Sequence, residues 1–259
     1  MKLYHREIGE GKPLIILHGL FGSSDNWMSI AKELEGHFKM YLVDQRNHGQ
    51  SPHSDEFSYA AMASDLNEFI EEHGIENPSI LGHSMGGKTA MNFAINHTDK
   101  WDKLIVVDIA PRAYPVRHDT ILKGLRSIDV DHIRSRGEAD KQLAEYVKDL
   151  GTRQFLLKNL TRKAEGGFEW KINLKVIDEN IEAMGEGIEQ QLASEKEVLF
   201  IRGENSDYIQ DKDNILIVEL FPNSEVKTVK NAGHWVHAEQ PQAVIELVTD
   251  FLEVPNNTR

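Results

Sequence analysis

Cysteine is missing from all 259 residues, which excludes disulfides, thiolate metal sites and every mechanism built on a cysteine nucleophile. Proline is scarce, at 8 residues, and no apolar run approaches the roughly 18 residues of a membrane-spanning helix. Residues 1–12 contain no charged region leading into a long apolar stretch, and the first apolar run, 14–17, is too short for a signal sequence, so a soluble cytoplasmic protein is expected. Positive charge is in deficit: 29 Lys+Arg stand against 42 Asp+Glu, a formal net charge of −13. Such a field repels phosphate backbones and anionic lipid surfaces, so nucleic acid is a poor candidate partner. What the chain does have is a core. With 40% hydrophobic and 27% charged residues, it is long enough for one large α/β domain carrying an insertion.

Short apolar runs bounded by turn residues predict strands at 14–17, 40–43, 79–81, 104–107, 198–201 and 226–229. Helical patterns at 25–34, 59–73, 89–96 and 243–252 alternate with them, and Gly74 stands where a helix C-terminus wants a glycine. Strand and helix in turn is the order of a mostly parallel sheet flanked by helices. The alternation breaks at 111–190, where helical patterns at 121–128, 143–150, 155–160 and 172–184 follow one another with no buried strand between them. That stretch holds 14 basic and 14 acidic residues, so the whole −13 falls on the remainder. The step in pattern and charge predicts a helical cap, 111–190, inserted into a core of 1–110 and 191–259.

Three motifs carry chemistry. Gly82-His83-Ser84-Met85-Gly86 follows a predicted strand and opens a helix. A serine held on so sharp a turn needs small neighbours two positions to either side, and the helix behind it offers the Met85 N–H and a favourable dipole to developing negative charge. His18-Gly19-Leu20-Phe21-Gly22 ends the first strong strand and offers the Leu20 N–H as a second oxyanion donor. Ala232-Gly233-His234-Trp235 follows the last strand, where an imidazole can take the Ser84 proton and return it to a leaving group. With 12 histidines in the chain a single one carries little weight, but His234 stands in the order serine, acid, histidine; His237 reads as a surface or packing residue.

Together with Asp44-x-Arg46-Asn47-His48-Gly49-x-Ser51-Pro52 and Val107-Asp108-Ile109-Ala110-Pro111, these motifs resemble the α/β-hydrolase superfamily over essentially the whole chain. Within it the chain is similar to the small bacterial esterases of the YbfF type and the ABHD11-like hydrolases. The resemblance implies a serine esterase or thioesterase acting on small acyl esters or acyl-CoA thioesters, without metal or organic cofactor. A monomer or weak homodimer is expected.

Many members of the superfamily carry the acid in a Gly-x-x-Asp turn after the penultimate strand. Here that turn reads Gly203-Glu204-Asn205-Ser206-Asp207, with Ser206 in the acid's place. Asp108, which matches the acid of the YbfF-type enzymes, can fill the vacancy, with Ser206 auxiliary and Asp207 as the rival. Phe155 and Trp170 are candidate acyl-pocket residues, although cap aromatics more often pack the cap on the core. His48, His53, Asp55 and Glu56 are too irregularly spaced to be persuasive metal ligands, and the 44–49 loop reads as a brace for the sheet edge. Two other functions stay open: a lyase or C–C hydrolase for an anionic metabolite, which arginines at 112, 117 and 153 converging on the serine would favour, and a non-catalytic binding module.

Overall fold

A computed structural model describes residues 1–115, 118–188 and 194–253; Arg117 and Gln190 lie outside the described residues. The chain opens with strands β1 (His5–Ile8) and β2 (Lys12–Leu17), then helix α1 (Met28–Leu34), β3 (Phe38–Val43), α2 (Tyr59–Glu72), β4 (Ser79–His83), α3 (Met85–Asn96) and β5 (Leu104–Val107). Next come α4 (Asp119–Ser127), α5 (Arg136–Leu143), α6 (Leu150–Leu157), a hairpin of β6 (Leu160–Arg162) and β7 (Phe168–Trp170), and α7 (Leu174–Glu179). The chain then returns through β8 (Val198–Gly203), α8 (Asn214–Leu220), β9 (Ser224–Val229), α9 (Val236–Glu239) and α10 (Pro241–Phe251).

Seven strands form one sheet in the order β1-β3-β2-β4-β5-β8-β9, parallel except for β1. All six predicted strands fall inside observed ones. The interior strands are mainly apolar because helices cover both faces, so successive residues enter different cores; β9, at the sheet edge, leaves Glu225, Lys227 and Thr228 exposed. Ile15 and Leu17 of β2 pack on the side of α2 and α3, whereas Leu14 and Ile16 pack on the side of α1 and α10. Each such buried side chain contributes about 1.5–3 kcal/mol relative to exposure.

Between β5 and β8 the chain departs from expectation. The helix expected at 143–150 is absent: α5 ends at Leu143, residues 144–149 are not helical, and α6 starts only at Leu150, capped by the Asp149 carboxylate on the Thr152 N–H. The hairpin was not expected at all. Leu122, Leu156, Phe168 and Ile177 from this segment form a third apolar cluster with Phe21, Met62 and Met85 beyond the carboxyl edge of the sheet. Among the described residues no helix is long and apolar enough to cross a membrane.

Candidate active site

The carboxyl ends of four adjacent strands, β4, β5, β8 and β9, supply the site. Ser84 directly follows β4 and starts α3 with φ 52° and ψ −116°, a backbone state that few non-glycine residues adopt. Gly82 and Gly86 make the turn possible. A Cβ on Gly86 would lie 2.5 Å from the Leu17 carbonyl oxygen, and one on Gly82 would run into Gly86 itself. The Ser84 N–H donates to the Val107 carbonyl of β5 at 2.9 Å, which locks the turn to the next strand.

Asp108 leaves β5 in the left-handed region, at φ 51°, with its N–H on the Ile201 carbonyl of β8 at 2.8 Å. Its carboxylate is fully buried. One oxygen accepts the Gly203 N–H at 3.0 Å; the other accepts the Ser206 hydroxyl and lies 2.8 Å from His234 Nδ1. The opposite nitrogen, His234 Nε2, is 3.1 Å from Ser84 Oγ. A hydroxyl, an imidazole and a buried carboxylate thus form one continuous chain. Asp207 sits beside it, lining a cavity at Ser84, and its backbone carbonyl accepts from Arg112 and Gln210.

Several residues hold His234 in place. Glu239 accepts the Gly233 N–H at 2.8 Å and the Trp235 N–H at 3.3 Å, bracketing the histidine, and His83 Nε2–H donates to the His234 carbonyl at 2.8 Å. Burial keeps His83 well below the usual histidine range, and neighbouring His237 and His234 reinforce this, so His83 is neutral with its proton on Nε2. The Tyr208 ring stacks on the His234 imidazole, 4.0 Å between centroids and 22° between planes. His237 is buried and stacked on Trp27.

The loop carrying Leu20 rests on two more neutral imidazoles. His18 Nε2 accepts the Gln45 N–H at 2.9 Å, and His48 Nε2 accepts the Phe21 N–H at 3.2 Å. Burial lowers both, His48 to about 3. The 44–49 loop braces the sheet edge: Asp44 accepts the N–H groups of Ser24 and Gln50, and Arg46 grips Asp65. Met85, as the first residue of α3, has an N–H with no acceptor inside the helix.

Two cavities flank Ser84, of about 40 and 50 Å3, and share Leu20, Ser84 and His118 as walls. The first is largely apolar, with Tyr59, Ile109, Tyr114, Ile181, Met184 and Tyr208 around it. The second holds Phe155 and Trp235 and continues into an open surface groove. Trp170, expected in the acyl pocket, lines neither cavity; it packs half-buried against the third cluster, next to Phe168 in β7. Burial lowers His118 to about 4, so it faces the site uncharged. The described arginines do not converge on Ser84. Arg112 pairs with Asp213 over the Tyr114 ring, and Arg153 pairs with Asp140. Among the described residues no group of side chains could hold a metal ion.

His83, Tyr208 and His118 were not singled out from the sequence. His83 had a signal, since it occupies the variable position inside Gly-x-Ser-x-Gly. Tyr208 and His118 had none, because both reach the site from irregular loops.

A family model for the alpha/beta hydrolase fold matches residues 12–132. Mouse sn-1-specific diacylglycerol lipase ABHD11 is 40% identical over 247 residues, which span 92% of this chain and 80% of the mouse protein. Esterase YbfF of Escherichia coli (strain K12) is 35% identical over 241 residues, spanning 93% of this chain and 92% of its own. A solved marine microorganism esterase superposes with a TM-score of 0.94 at 49% identity, covering 96% of this chain and 99% of that one. Likeness this extensive goes well beyond a shared architecture: the chain belongs to the α/β-hydrolase family and, within it, is a hydrolase of the esterase/lipase type that includes the ABHD11 and YbfF proteins.

Proposed function

We propose that the protein cleaves carboxylic esters, and acyl thioesters by the same route, through an acyl-enzyme on Ser84. The observation that carries this reading is the unbroken path Ser84 Oγ–His234–Asp108 behind a strained turn. Ser84 Oγ attacks the carbonyl carbon while His234 Nε2 takes its proton. Asp108 holds the Nδ1–H and balances the imidazolium. The N–H groups of Leu20 and Met85 receive the oxyanion, where one such donor is worth about 10²–10³ in turnover. His234 then protonates the departing alcohol or thiol, and a water activated by the same imidazole releases the acid.

The segment 111–190 acts as a cap over a core of 1–110 and 191–259. The acyl chain enters the apolar cavity, and the leaving group departs through the one that opens to the groove. A cavity of about 40 Å3 holds few groups, since one water takes about 10–15 Å3, so short acyl chains are preferred. The test is a substrate panel of p-nitrophenyl esters and acyl-CoAs, together with a fluorophosphonate probe. The expected result is turnover of short esters and one equivalent of probe on the Ser84 peptide. Labelling elsewhere, or none in a folded sample, would count against the reading.

Chain-length preference gives a further prediction. Met184→Ala cuts back one of the side chains lining the acyl cavity and makes room for about two methylenes. At about 0.8 kcal/mol per buried CH2 the hexanoate-to-acetate rate ratio rises roughly tenfold. Phe155→Ala alters leaving-group preference instead, and Trp170→Leu alters neither. Equal losses on every ester for Met184→Ala would point to damaged folding and remove the selectivity role.

A further inference from the structure

Lys88 has no part in the chemistry above, yet it is among the most deeply buried side chains in the protein. It lies one helical turn beyond Ser84, with its own N–H on the Ser84 carbonyl at 3.0 Å. Its ammonium donates to three backbone carbonyls: Pro111 at 3.0 Å, Arg112 at 2.7 Å and Glu186 at 2.6 Å. An ammonium has three donors, so this shell is complete. The rings of Tyr59 and Tyr114 lie 6.0 and 5.4 Å away, within cation–π range.

Stability alone does not explain a cation here. A buried charge costs far more than a hydrophobe of the same size, and among the described residues no carboxylate accepts from Lys88. What the lysine does is join three segments. Pro111 and Arg112 follow Asp108 by three and four residues, Glu186 lies on the return from α7, and Lys88 itself belongs to the nucleophile's helix. Nearby bonds tighten the same junction. Tyr114 N–H donates to the Gly185 carbonyl at 2.7 Å, Ile188 N–H to that of Pro111 at 2.8 Å, and the Tyr59 hydroxyl to that of Met184 at 2.9 Å. The Tyr114 hydroxyl donates to the carbonyl of Tyr208, whose ring lies on His234.

We infer that Lys88 is a positioning residue: its ammonium pins the Asp108-bearing loop and the base of the 111–188 segment to the helix that carries Ser84. The inference rests on the reading of Ser84, His234 and Asp108 given above. Asp108 sits at a strained φ of 51°, and such a conformation persists only where the surroundings over-determine it. The pin is one of those determinants. It needs all three protons, because a neutral amine has two N–H donors and would aim its lone pair at the third carbonyl oxygen.

Desolvation by burial, with the Arg112 guanidinium beside it, pushes Lys88 down to about 7, while Glu186 pulls the other way. The other groups facing it are Tyr59 and Tyr114, whose phenols burial raises above their ordinary value, so neither ionises in the working range. The pin therefore weakens as pH rises through about 7. Stability moves in the opposite direction. The unfolded chain keeps this lysine protonated up to its ordinary value of 10.5, so between about pH 7 and 10 the unfolded state binds more protons and rising pH favours the fold. Activity falling while the unfolding midpoint holds or rises is a signature that a merely structural lysine would not produce.

The experiment measures p-nitrophenyl acetate kinetics and unfolding midpoints from pH 6 to 9.5 for the wild type, Lys88→Met and Lys88→Gln. At pH 6.5, Lys88→Met is expected to lose at least tenfold in kcat with KM within threefold, and Lys88→Gln, which keeps two donors, to lose less. The wild type should show a falling limb above about pH 7 that Lys88→Met lacks. A folded Lys88→Met within threefold of wild-type kcat, or one that keeps the same falling limb, overturns the inference. If the Met variant does not fold, a flat wild-type profile above pH 7 overturns it. Stoichiometric fluorophosphonate labelling of Ser84 in the same samples separates failure of the pin from failure of the ester-hydrolysis reading.

Discussion

Ser84→Ala is expected to reduce turnover of p-nitrophenyl acetate and butyrate by around a million-fold, the scale of loss when a serine hydrolase loses its nucleophile. The expectation follows from position and from lack of redundancy. Ser84 Oγ makes its hydrogen bond to His234 Nε2, between the two cavities, at the N-terminus of α3. Alanine tolerates the φ of 52° no worse than serine does, and the elbow's packing depends on Gly82 and Gly86, which stay. The unfolding midpoint should therefore remain within a few degrees of wild type, and fluorophosphonate labelling should vanish. Turnover within tenfold of wild type in such a sample would remove Ser84 from the reaction.

The folding pattern was readable where burial makes the sequence monotonous. Strands β2, β4 and β5 are covered on both faces, so each is a short apolar run between turn residues. β1 reads His-Arg-Glu-Ile and is half-exposed; it is a strand because β3 offers it an edge, a fact about pairing that its own residues do not carry. Between β5 and β8 the local signals misled. Leu143, Val147 and Leu150 have helical spacing, but Leu143 ends α5, Val147 is buried in the turn region that follows, and Asp149 begins the next helix as its cap. The hairpin strands, three residues each, are too short for alternation to show.

The site divides in the same way. That Ser84, Asp108 and His234 meet was legible because strand ends at one edge of a parallel sheet converge whatever the loops do. Lys88 could not. A lysine early in a helix normally reads as a solvated surface residue, and its burial depends on Glu186, almost a hundred positions away in a segment with no strong pattern. Tyr208 is equally silent in sequence, since its stacking on His234 arises only when the loops after β8 and β9 meet.

The acid gives the second large effect. Asp108→Asn is expected to cost around ten-thousand-fold in turnover, second only to the loss for Ser84→Ala. Asp108 uses both oxygens, one for the Gly203 N–H and the other for the Ser206 hydroxyl and His234 Nδ1–H. Asparagine has a single acceptor oxygen. If that oxygen stays on Gly203, the amide NH2 faces His234, Nδ1 must accept, and the proton moves to Nε2, where it blocks removal of the Ser84 proton. Ser206→Ala removes one hydrogen bond to a charged group, worth about 1.5–3 kcal/mol, and should cost about tenfold or somewhat more in turnover. Asp207 stands outside the path Ser84–His234–Asp108, so Asp207→Asn should stay within about threefold of wild type. Steady-state rates for the three variants, each with an unfolding midpoint near wild type, establish the ranking. The reverse order, with Asp207→Asn nearly inactive and Asp108→Asn nearly normal, would move the acid to the turn after β8 and leave the Asp108–His234 contact a purely structural one.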